Sequence, residues 1–400
     1  MNLPKAEYEL EYSHGSVYGE DDVNALLEVV KVAAPSCGVK VKQFEDAFAA
    51  YCKSRYALAV TSATAGLHLA VVAAGVGPGD EVITTPISWV STANAAALTG
   101  ASVVFADVDP VSLNIDPKSI QSKITERTKA IIVVHLYGQP CDMDSLADLA
   151  QPRGIKIIED CAHAPGATYK GRKTGSLGDI GVFSFHQQKN MTTLGEGGMV
   201  TTSDSHTFER LLSYRSLCCR SYDPKGKYLG FDLEREPMGK RYWYLDFEDI
   251  GFNFRMTDIQ AAVGLVQLRK LDDWNDRRIA IAQEYGYQLA GIKGLRLPVA
   301  APNVKHVFHI YSICLEDDFP LSKEDFMWEM YVQRRIKVWS HYTPIHLSTA
   351  YRHLGHKAGE CPVAERMYKQ YVSLPIHPRL TEDAIEYLTR SVREVAHASV

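Results

Sequence analysis

Short apolar runs alternate with segments of helical spacing between about residues 55 and 205. The runs are rich in β-branched residues, and each predicts a buried strand: 56–61, 81–86, 102–108, 129–137, 155–160 and 181–185. The segments between them that have helical spacing and end at glycine are 65–76, 91–100 and 143–154. This alternation indicates an α/β protein with a mainly parallel, helix-covered sheet, in which ligands bind at the carboxyl ends of the strands.

The pattern changes after residue 205. Residues 220–248 are aromatic, charged and interrupted by Gly and Pro, which predicts a long ordered excursion with a structural, substrate-binding or dimer-contact role. Residues 257–292 are helical in period, as one long helix or two, and are expected to join two domains. We therefore predict a large domain over 1–285 and a smaller C-terminal α+β domain over 286–400.

Composition narrows the class of protein. The 400 residues carry a net charge of −5 with basic residues scattered along the chain, which argues against a nucleic-acid partner. The eight cysteines form no CxxC pair, so we expect free thiols in the cytoplasm and no metal site. The sequence has no signal peptide and no apolar run of about 18 residues, so no membrane association is expected.

Polar or aromatic residues follow three of the predicted strands. Ser62 and Thr64 stand where a helix begins, so they suit a phosphate or simply cap the helix. Asp160 ends a strand, where a carboxylate either keeps a heterocyclic nitrogen protonated or caps a helix; Glu159 and His163 lie beside it. Trp89 either stacks on a planar ligand or belongs to the core.

Lys189 lies in SFHQQKNMTTLGEGG, between a strand and a glycine-rich loop. An isolated lysine is usually a surface residue, but beside low-dielectric walls its amine loses a proton more readily and can form a Schiff base with an aldehyde. A phosphate cradle, a stacking face, an acid for a pyridinium nitrogen and such a lysine are together what pyridoxal phosphate requires. This combination predicts that cofactor.

The motifs SATAGLHLA, GDEVITTPISWVSTANA, IIEDCAHAPGATYKGRKTGSLGDIGVFSFH, GEGG, GFNFRMTDIQAAVG and HYTPIHL follow one another in the chain. From about residue 15 to 390 the sequence resembles the DegT/DnrJ/EryC1/StrS aminotransferases, the sugar aminotransferase family. The resemblance implies a fold-type I pyridoxal-phosphate-dependent transferase, with a mainly parallel seven-stranded sheet between helices in the large domain. It also implies a homodimer with shared active sites.

Residue roles follow from the resemblance. Lys189 matches the Schiff-base lysine and Asp160 the partner of the pyridine nitrogen. Asn253 matches an asparagine that reaches the cofactor phosphate of the other subunit. The other implied cofactor contacts are His163 at the ring hydroxyl, Trp89 at the stacking position, and Thr64, Ala65 and Ser184 at the phosphate. The resemblance implies substrate contacts for Arg255, His341, Tyr342 and His346. Gln187 and Gln188 are further candidates for substrate contact, because they differ from the family's usual motifs.

The implied reaction is a ping-pong transamination from glutamate or glutamine to a keto sugar, in which the Lys189 amine moves the proton. A nucleotide-linked keto sugar is preferred, in amino-sugar, antibiotic or surface-polysaccharide biosynthesis. A cyclitol ketone and a free keto sugar stay open, because HQQK lies between the HPTK of many nucleotide-sugar enzymes and the QQTK of many cyclitol enzymes. A non-catalytic regulatory protein is the alternative of another class.

One departure from the family pattern concerns the loop after Lys189. The family usually has one residue fewer before GEGG, so Leu194 is interpreted as an insertion. We expect the insertion to loosen or reshape the loop over the cofactor.

Overall fold

The computed structural model describes residues 10, 15–31, 36–219 and 246–397. The strands in these residues are β1 (Tyr56–Val60), β2 (Glu81–Thr84), β3 (Ser102–Phe105), β4 (Thr128–Val134), β5 (Lys156–Asp160), β6 (Thr168–Tyr169), β7 (Arg172–Lys173), β8 (Ile180–Ser184), β9 (Gly198–Thr202), β10 (Leu295–Arg296), β11 (Val304–Lys305), β12 (Tyr311–Leu315) and β13 (Tyr371–Leu374).

The α-helices are α1 (Glu20–Val30), α2 (Val39–Cys52), α3 (Ala63–Ala73), α4 (Ser91–Ala97), α5 (Pro117–Gln121), α6 (Met143–Ala150), α7 (Ser205–Arg215), α8 (Asp258–Gln288), α9 (Lys323–Val332), α10 (Thr349–His353), α11 (Pro362–Tyr368) and α12 (Glu382–His397). None of the helices in the described residues is both long and apolar enough to cross a membrane.

A seven-stranded sheet with the order β1-β9-β8-β5-β4-β2-β3 forms the main body. The six strands expected from the apolar runs all form, and six of the seven strands run parallel to one another. The exception is β9, which is antiparallel to both β1 and β8. The prediction of a mainly parallel seven-stranded sheet covered by helices is confirmed. Since β4, β5 and β8 are parallel neighbours, Val134, Asp160 and Ser184 end at the same edge.

The helix predicted over 257–292 is a single helix, α8, and not two. Its first turn is fixed by a capping box, in which the Thr257 hydroxyl accepts from the Gln260 N–H and the Gln260 side chain accepts from the Thr257 N–H. The 31 residues of α8 then run without a break to Gln288. The helix therefore continues past residue 285, where the sequence analysis put the domain boundary.

The second half of the chain builds a smaller unit on a sheet of order β10-β12-β13. Most of its apolar side chains form a core of their own, to which the last turns of α8 contribute Ile281 and Tyr285. Cys314 and Tyr371 of the same small sheet pack instead in the core of the large sheet. The Tyr285 hydroxyl donates to the carbonyl of Pro375 at 2.7 Å, so α8 is tied to this unit by a buried hydrogen bond as well as by packing. The predicted excursion over 220–248 lies outside the described residues except for 246–248.

Candidate active site

A cavity of about 570 Å³ opens at the edge of the sheet where β4, β5 and β8 end. Its wall is formed by Ser62, Ala63, Thr64, Leu67, Ser88, Trp89, Ser91, Thr92, Val134, Asp160, Ala162, His163, Ser184, His186, Gln188, Lys189, Glu196, His309, Lys337, Trp339, His341 and Tyr342. The chain thus gathers two amines, two carboxylates, several hydroxyls and four imidazoles around one space.

Lys189 lies on the wall just after β8, and its backbone N–H donates to the carbonyl of His186 at 2.8 Å. The residue is half-buried by area because it borders the cavity, yet the protein around it is dense enough to disfavour the ammonium. This burial lowers the pKa of Lys189 from 10.5 to about 8, against the opposing charges of Asp160 and Glu196. An amine in this state loses its proton near neutral pH far more readily than a surface lysine.

The loop that carries Lys189 folds back on itself. The N–H of Phe185 donates to Gly197 at 2.8 Å and that of Gln187 to Gly195 at 2.9 Å. Leu194 is accommodated at the tip of this loop with φ 71°, followed by Gly195 with φ 127°, a conformation that glycine adopts easily. Leu194 is 41% exposed and does not line the cavity. The extra residue forms an outward bulge, and the cavity wall keeps both Lys189 and Glu196.

Asp160 lies at the end of β5 and is 4% exposed. Its Oδ2 accepts from the Thr92 hydroxyl at 2.8 Å and its Oδ1 from the Ala162 N–H at 3.1 Å. Burial raises the pKa of Asp160, and these hydrogen bonds together with the charge of Lys189 oppose the rise. A cationic ligand nitrogen beside Asp160 would stabilise the carboxylate, since opposite charges favour both ionised forms.

The neighbouring Glu159 points into the core and has a structural role. Its carboxylate accepts from the N–H groups of Gly175, Leu177 and Gly178 and bonds to His135 Nε2 at 2.9 Å. Burial alone would raise the pKa of Glu159, but these hydrogen bonds outweigh it and lower the pKa. The carboxylate therefore holds the turn before β8 instead of lining the cavity.

His163 is 2% exposed, and its Nδ1 accepts from the Tyr137 N–H at 3.4 Å. Its Nε2 therefore carries the proton and donates to the Tyr342 hydroxyl at 3.2 Å. Burial, reinforced by the charge of Lys189, lowers the pKa of His163 well below 6.5. This imidazole is neutral at neutral pH and can donate or accept hydrogen bonds without adding charge to the cavity.

Trp89 has 62% of its surface exposed, on the cavity wall. Its ring meets Tyr342 edge-on, with centroids 6.2 Å apart at an interplanar angle of 68°. The exposure distinguishes Trp89 from a core residue. A largely uncovered indole beside a cavity suits stacking on a planar ring.

The start of α3 supplies the hydroxyls expected of a phosphate site. The Thr64 hydroxyl bonds to that of Ser91 at 2.8 Å, and Ser184 completes this part of the wall from β8. Ala65 is not on the wall, and its N–H donates to the capping Ser62 hydroxyl at 3.1 Å. Ser62 and Ala63 line the cavity in its place.

Other residues implicated by sequence occupy different surroundings. Of the two glutamines, Gln188 lines the cavity and Gln187 does not; His341 and Tyr342 both line it. His346 is fully buried away from the wall, where its Nε2 bonds to Glu365 at 2.9 Å. Its side chain therefore belongs to the packing of the region around α11.

Asn253 and Arg255 do not line this chain's cavity. Asn253 is exposed and pairs with Ser216 in an antiparallel bridge, while Arg255 pairs in the same way with Val60. Neither side chain contributes to the cavity wall of a single chain.

Sequence reasoning did not identify several wall residues. Thr92 belongs to the motif around Trp89, and Glu196 belongs to GEGG. The sequence shows both motifs but does not indicate that these two residues line the cavity. The imidazole of His309 and the pair Lys337 and Trp339 come from the second half of the chain, where no strand-end pattern marked them. A local pattern carries no information on contacts across 120 residues or more.

The donor set fits pyridoxal phosphate. A buried carboxylate faces the cavity for a protonated ring nitrogen, an exposed indole offers a stacking face, and hydroxyls at the start of α3 suit a phosphate. The amine with a lowered pKa suits an aldehyde.

Comparison with known proteins agrees with this chemistry. Residues 17–393 match the model of the DegT/DnrJ/EryC1/StrS aminotransferase family. The chain is 38% identical to GDP-perosamine synthase of Caulobacter vibrioides, covering 90% of this chain and 91% of that protein. It is 36% identical to dTDP-3-amino-3,4,6-trideoxy-alpha-D-glucose transaminase of Streptomyces venezuelae, covering 97% and 95%. Streptococcus pneumoniae Spr1654, solved in a PLP-form, superposes with a TM-score of 0.88 at 26% identity, covering 98% and 100%. This chain belongs to the DegT/DnrJ/EryC1/StrS aminotransferase family and is a sugar aminotransferase whose cofactor is pyridoxal phosphate.

Proposed function

We propose that this enzyme transfers an amino group from glutamate or glutamine to a nucleotide-linked keto sugar, in amino-sugar, antibiotic or surface-polysaccharide biosynthesis. The observation that carries the proposal is the composition of the cavity wall beyond the groups that suit the cofactor. Lys337 and Trp339 supply a cation and a half-exposed indole there. A cation suits a diphosphate and an indole suits a planar base or an apolar sugar face. Two relatives named for GDP- and dTDP-linked sugars support the same acceptor class.

Lys189 is proposed as the residue that holds the cofactor and then moves the proton. When bound, pyridoxal phosphate supplies an aldehyde that carries the amino group and a ring that accepts electrons. The Lys189 amine, with its pKa lowered to about 8, would move a proton from the donor's α-carbon to the cofactor in the first half-reaction. In the second half-reaction it would move a proton from the cofactor to the acceptor carbon. Lys189 shares the cavity wall with Asp160 and Glu196.

Asp160 is proposed to hold the ring nitrogen in its protonated form. Thr92 and the Ala162 N–H fix the two carboxylate oxygens, so Asp160 is oriented before any ligand arrives. Neutral His163 would lie near the ring hydroxyl and Trp89 against the ring face. Thr64 and Ser184 would bind the phosphate, and Ala65 stays a weaker candidate because its N–H already bonds to Ser62.

Asn253 is proposed to act on the partner subunit in a homodimer with shared active sites. Its exposure and its absence from this chain's own cavity wall support that role. The division into domains over 1–285 and 286–400 and a cytoplasmic location belong to the same proposal. Sedimentation should give a dimer, and Asn253→Ala should weaken retention of the cofactor. A fully active monomer would refute the shared site.

The acceptor is tested by single turnovers of enzyme that has first been aminated by a donor. Nucleotide-linked 3-keto and 4-keto sugars should consume the amino group, whereas free keto sugars and scyllo-inosose should react far more slowly. A preference for scyllo-inosose or a free keto sugar would overturn the nucleotide-linked acceptor and leave the aminotransferase intact. Glutamate and glutamine are compared in the first half-reaction.

Lys189→Ala tests the enzyme against the regulatory alternative. Proton transfer by a positioned group is worth about 10²–10⁴-fold, so turnover should fall by at least that factor. Lys323→Met is a matched control, because burial also lowers the pKa of Lys323 to about 8 although it lies off the cavity wall. The control should keep most of its turnover. If neither glutamate nor glutamine transfers an amino group to the wild-type protein, the regulatory alternative is favoured.

A further inference from the structure

Asn190, the residue after Lys189, is fixed by a chain of hydrogen bonds whose direction can be assigned. Asn275 of α8 donates through Nδ2 to the carbonyl of Pro165 at 2.9 Å, and a carbonyl can only accept. Its Oδ1 therefore faces Asn190, whose Nδ2 donates to it at 2.8 Å and to the carbonyl of Val307 at 3.3 Å. The Oδ1 of Asn190 is left as an acceptor.

That acceptor determines the tautomer of a cavity histidine. His309 Nδ1 lies 3.0 Å from Asn190 Oδ1, so Nδ1 carries the proton and Nε2 has a lone pair. His309 is 8% exposed and lies on the cavity wall, with its ring 4.5 Å from that of His163 at 31°. The two adjacent imidazoles hold opposite tautomers, because His163 accepts from the Tyr137 N–H through Nδ1.

The backbone carbonyls of Lys189 and Asn190 are held from the other side by the N-terminal segment. The Ser16 hydroxyl donates to the carbonyl of Asn190 at 2.8 Å and lies 3.3 Å from that of Lys189. Gly15 makes the approach possible, since a Cβ at Gly15 would lie 1.8 Å from the carbonyl oxygen of Gln187. Asn190 is thus clamped between the N-terminal segment and α8.

We propose that Asn190 is a positioning residue that fixes the Lys189 backbone and selects the Nδ1–H tautomer of His309, so that the cavity presents a hydrogen-bond acceptor near the Lys189 amine. The proposal rests on the proposed role of Lys189. The Nε2 of His309 can then accept from an N–H of that amine or of the incoming amino donor. The groups that act electrostatically on His309 are His163, Lys189, Arg278 and His341. Burial lowers the pKa of His309 well below 6.5, so the imidazole stays neutral.

The tautomer is measured directly on the full-length wild-type holoenzyme. Imidazole nitrogen chemical shifts of a histidine-labelled sample distinguish a protonated from a bare ring nitrogen, and His309→Gln assigns the signal. The expected result is a protonated Nδ1 and a bare Nε2. A protonated Nε2 in the wild type would overturn the proposal, whatever happens to any variant of Asn190.

Asn190→Asp and Asn190→Ala test whether Asn190 determines the tautomer of His309. The carboxylate lacks the donors to Asn275 and Val307 and attracts a second proton to His309, whereas alanine removes the acceptor. Both variants should shift the His309 signals. In cofactor-free protein at pH 8, Asn190→Asp should also slow acylation of Lys189 about fivefold or more, because a nearby carboxylate stabilises the ammonium.

Asn114→Asp is the matched control. Asn114 is 5% exposed and donates to the carbonyls of Gln139 and Pro140, away from Lys189. It should lower stability without moving the His309 signals or the acylation rate. Unchanged His309 signals in folded Asn190→Ala would overturn the proposal. The tautomer measurement does not depend on turnover. It can therefore be interpreted even if the proposed nucleotide-linked acceptor is wrong.

Discussion

The Thr92 hydroxyl donates a 2.8 Å hydrogen bond to Oδ2 of Asp160, and both side chains are buried at the cavity. Thr92 lies on α4 and Asp160 at the end of β5, so a helix orients a carboxylate on a neighbouring strand. The Thr92 hydroxyl also bonds to Ser88 at 2.8 Å, which fixes its rotamer. This pair gives the cavity an oriented acid in surroundings that raise its pKa.

Thr92→Val should lower turnover about tenfold, because a hydrogen bond to a charged group contributes about 1.5–3 kcal/mol. Loss of the Thr92 hydrogen bond also raises the pKa of Asp160 further. On acidification, the variant should therefore lose activity at a higher pH than the wild type does. The pH–rate profile measures this shift. Thr84→Val is the control, since the buried Thr84 hydroxyl bonds to the carbonyl of Ile132 at 2.9 Å within the sheet. An equal loss of turnover in both variants would contradict the prediction.

The stability of the cofactor-free protein should depend on Lys189 at alkaline pH. Its pKa is about 8 in the folded chain and 10.5 as the ordinary value, so the unfolded chain binds more protons between these two values. The free energy of unfolding therefore rises with pH across that window. Denaturant titrations should show this rise in the wild type relative to Lys189→Met. Parallel curves for the two proteins would show that the pKa of Lys189 is not lowered.

Lys337→Ala should weaken binding of a nucleotide-linked acceptor and leave the donor half-reaction unchanged. Removing one charged contact to a phosphate should raise the KM for that acceptor about tenfold, and added salt should reduce the difference between wild type and variant. Lys305→Ala is the control, because Lys305 forms an ion pair with Asp276 at 2.8 Å outside the cavity wall. A similar rise in the KM for the amino donor would argue against a role for Lys337 in acceptor binding.

Gly195→Ala and Gly286→Ala should change stability in opposite directions. At both positions an added Cβ would meet nothing within 4 Å, so the backbone alone decides. Gly195 has φ 127°, where a side chain costs about 1–3 kcal/mol, and the strain should also disturb Lys189 and lower turnover. Gly286 lies inside α8, where alanine should stabilise by about 0.5–1 kcal/mol. Thermal denaturation and turnover check both outcomes, and a stabilised Gly195→Ala would contradict the role of the bulge.

The local pattern was sufficient for most of the sheet. Runs of β-branched residues predicted β1, β2, β3, β4, β5 and β8, because a strand buried on both faces must be continuously apolar. β9 was not among the runs identified, since GMVTT is short and follows the glycine-rich loop. Its antiparallel direction depends on that loop folding back, which hydrophobic periodicity does not encode.

The sequence by itself determined the α/β class and the chemistry of the first half of the chain, because Asp160, His163 and Lys189 follow strands whose ends must meet at one edge of a parallel sheet. Only the tertiary structure decided that His309, Lys337 and Trp339 complete the wall, and that His346 and Asn253 lie off it. The second half returns to the cavity after the 31-residue helix α8. Where that return brings each side chain depends on long-range packing, whereas the patterns read from the sequence are local.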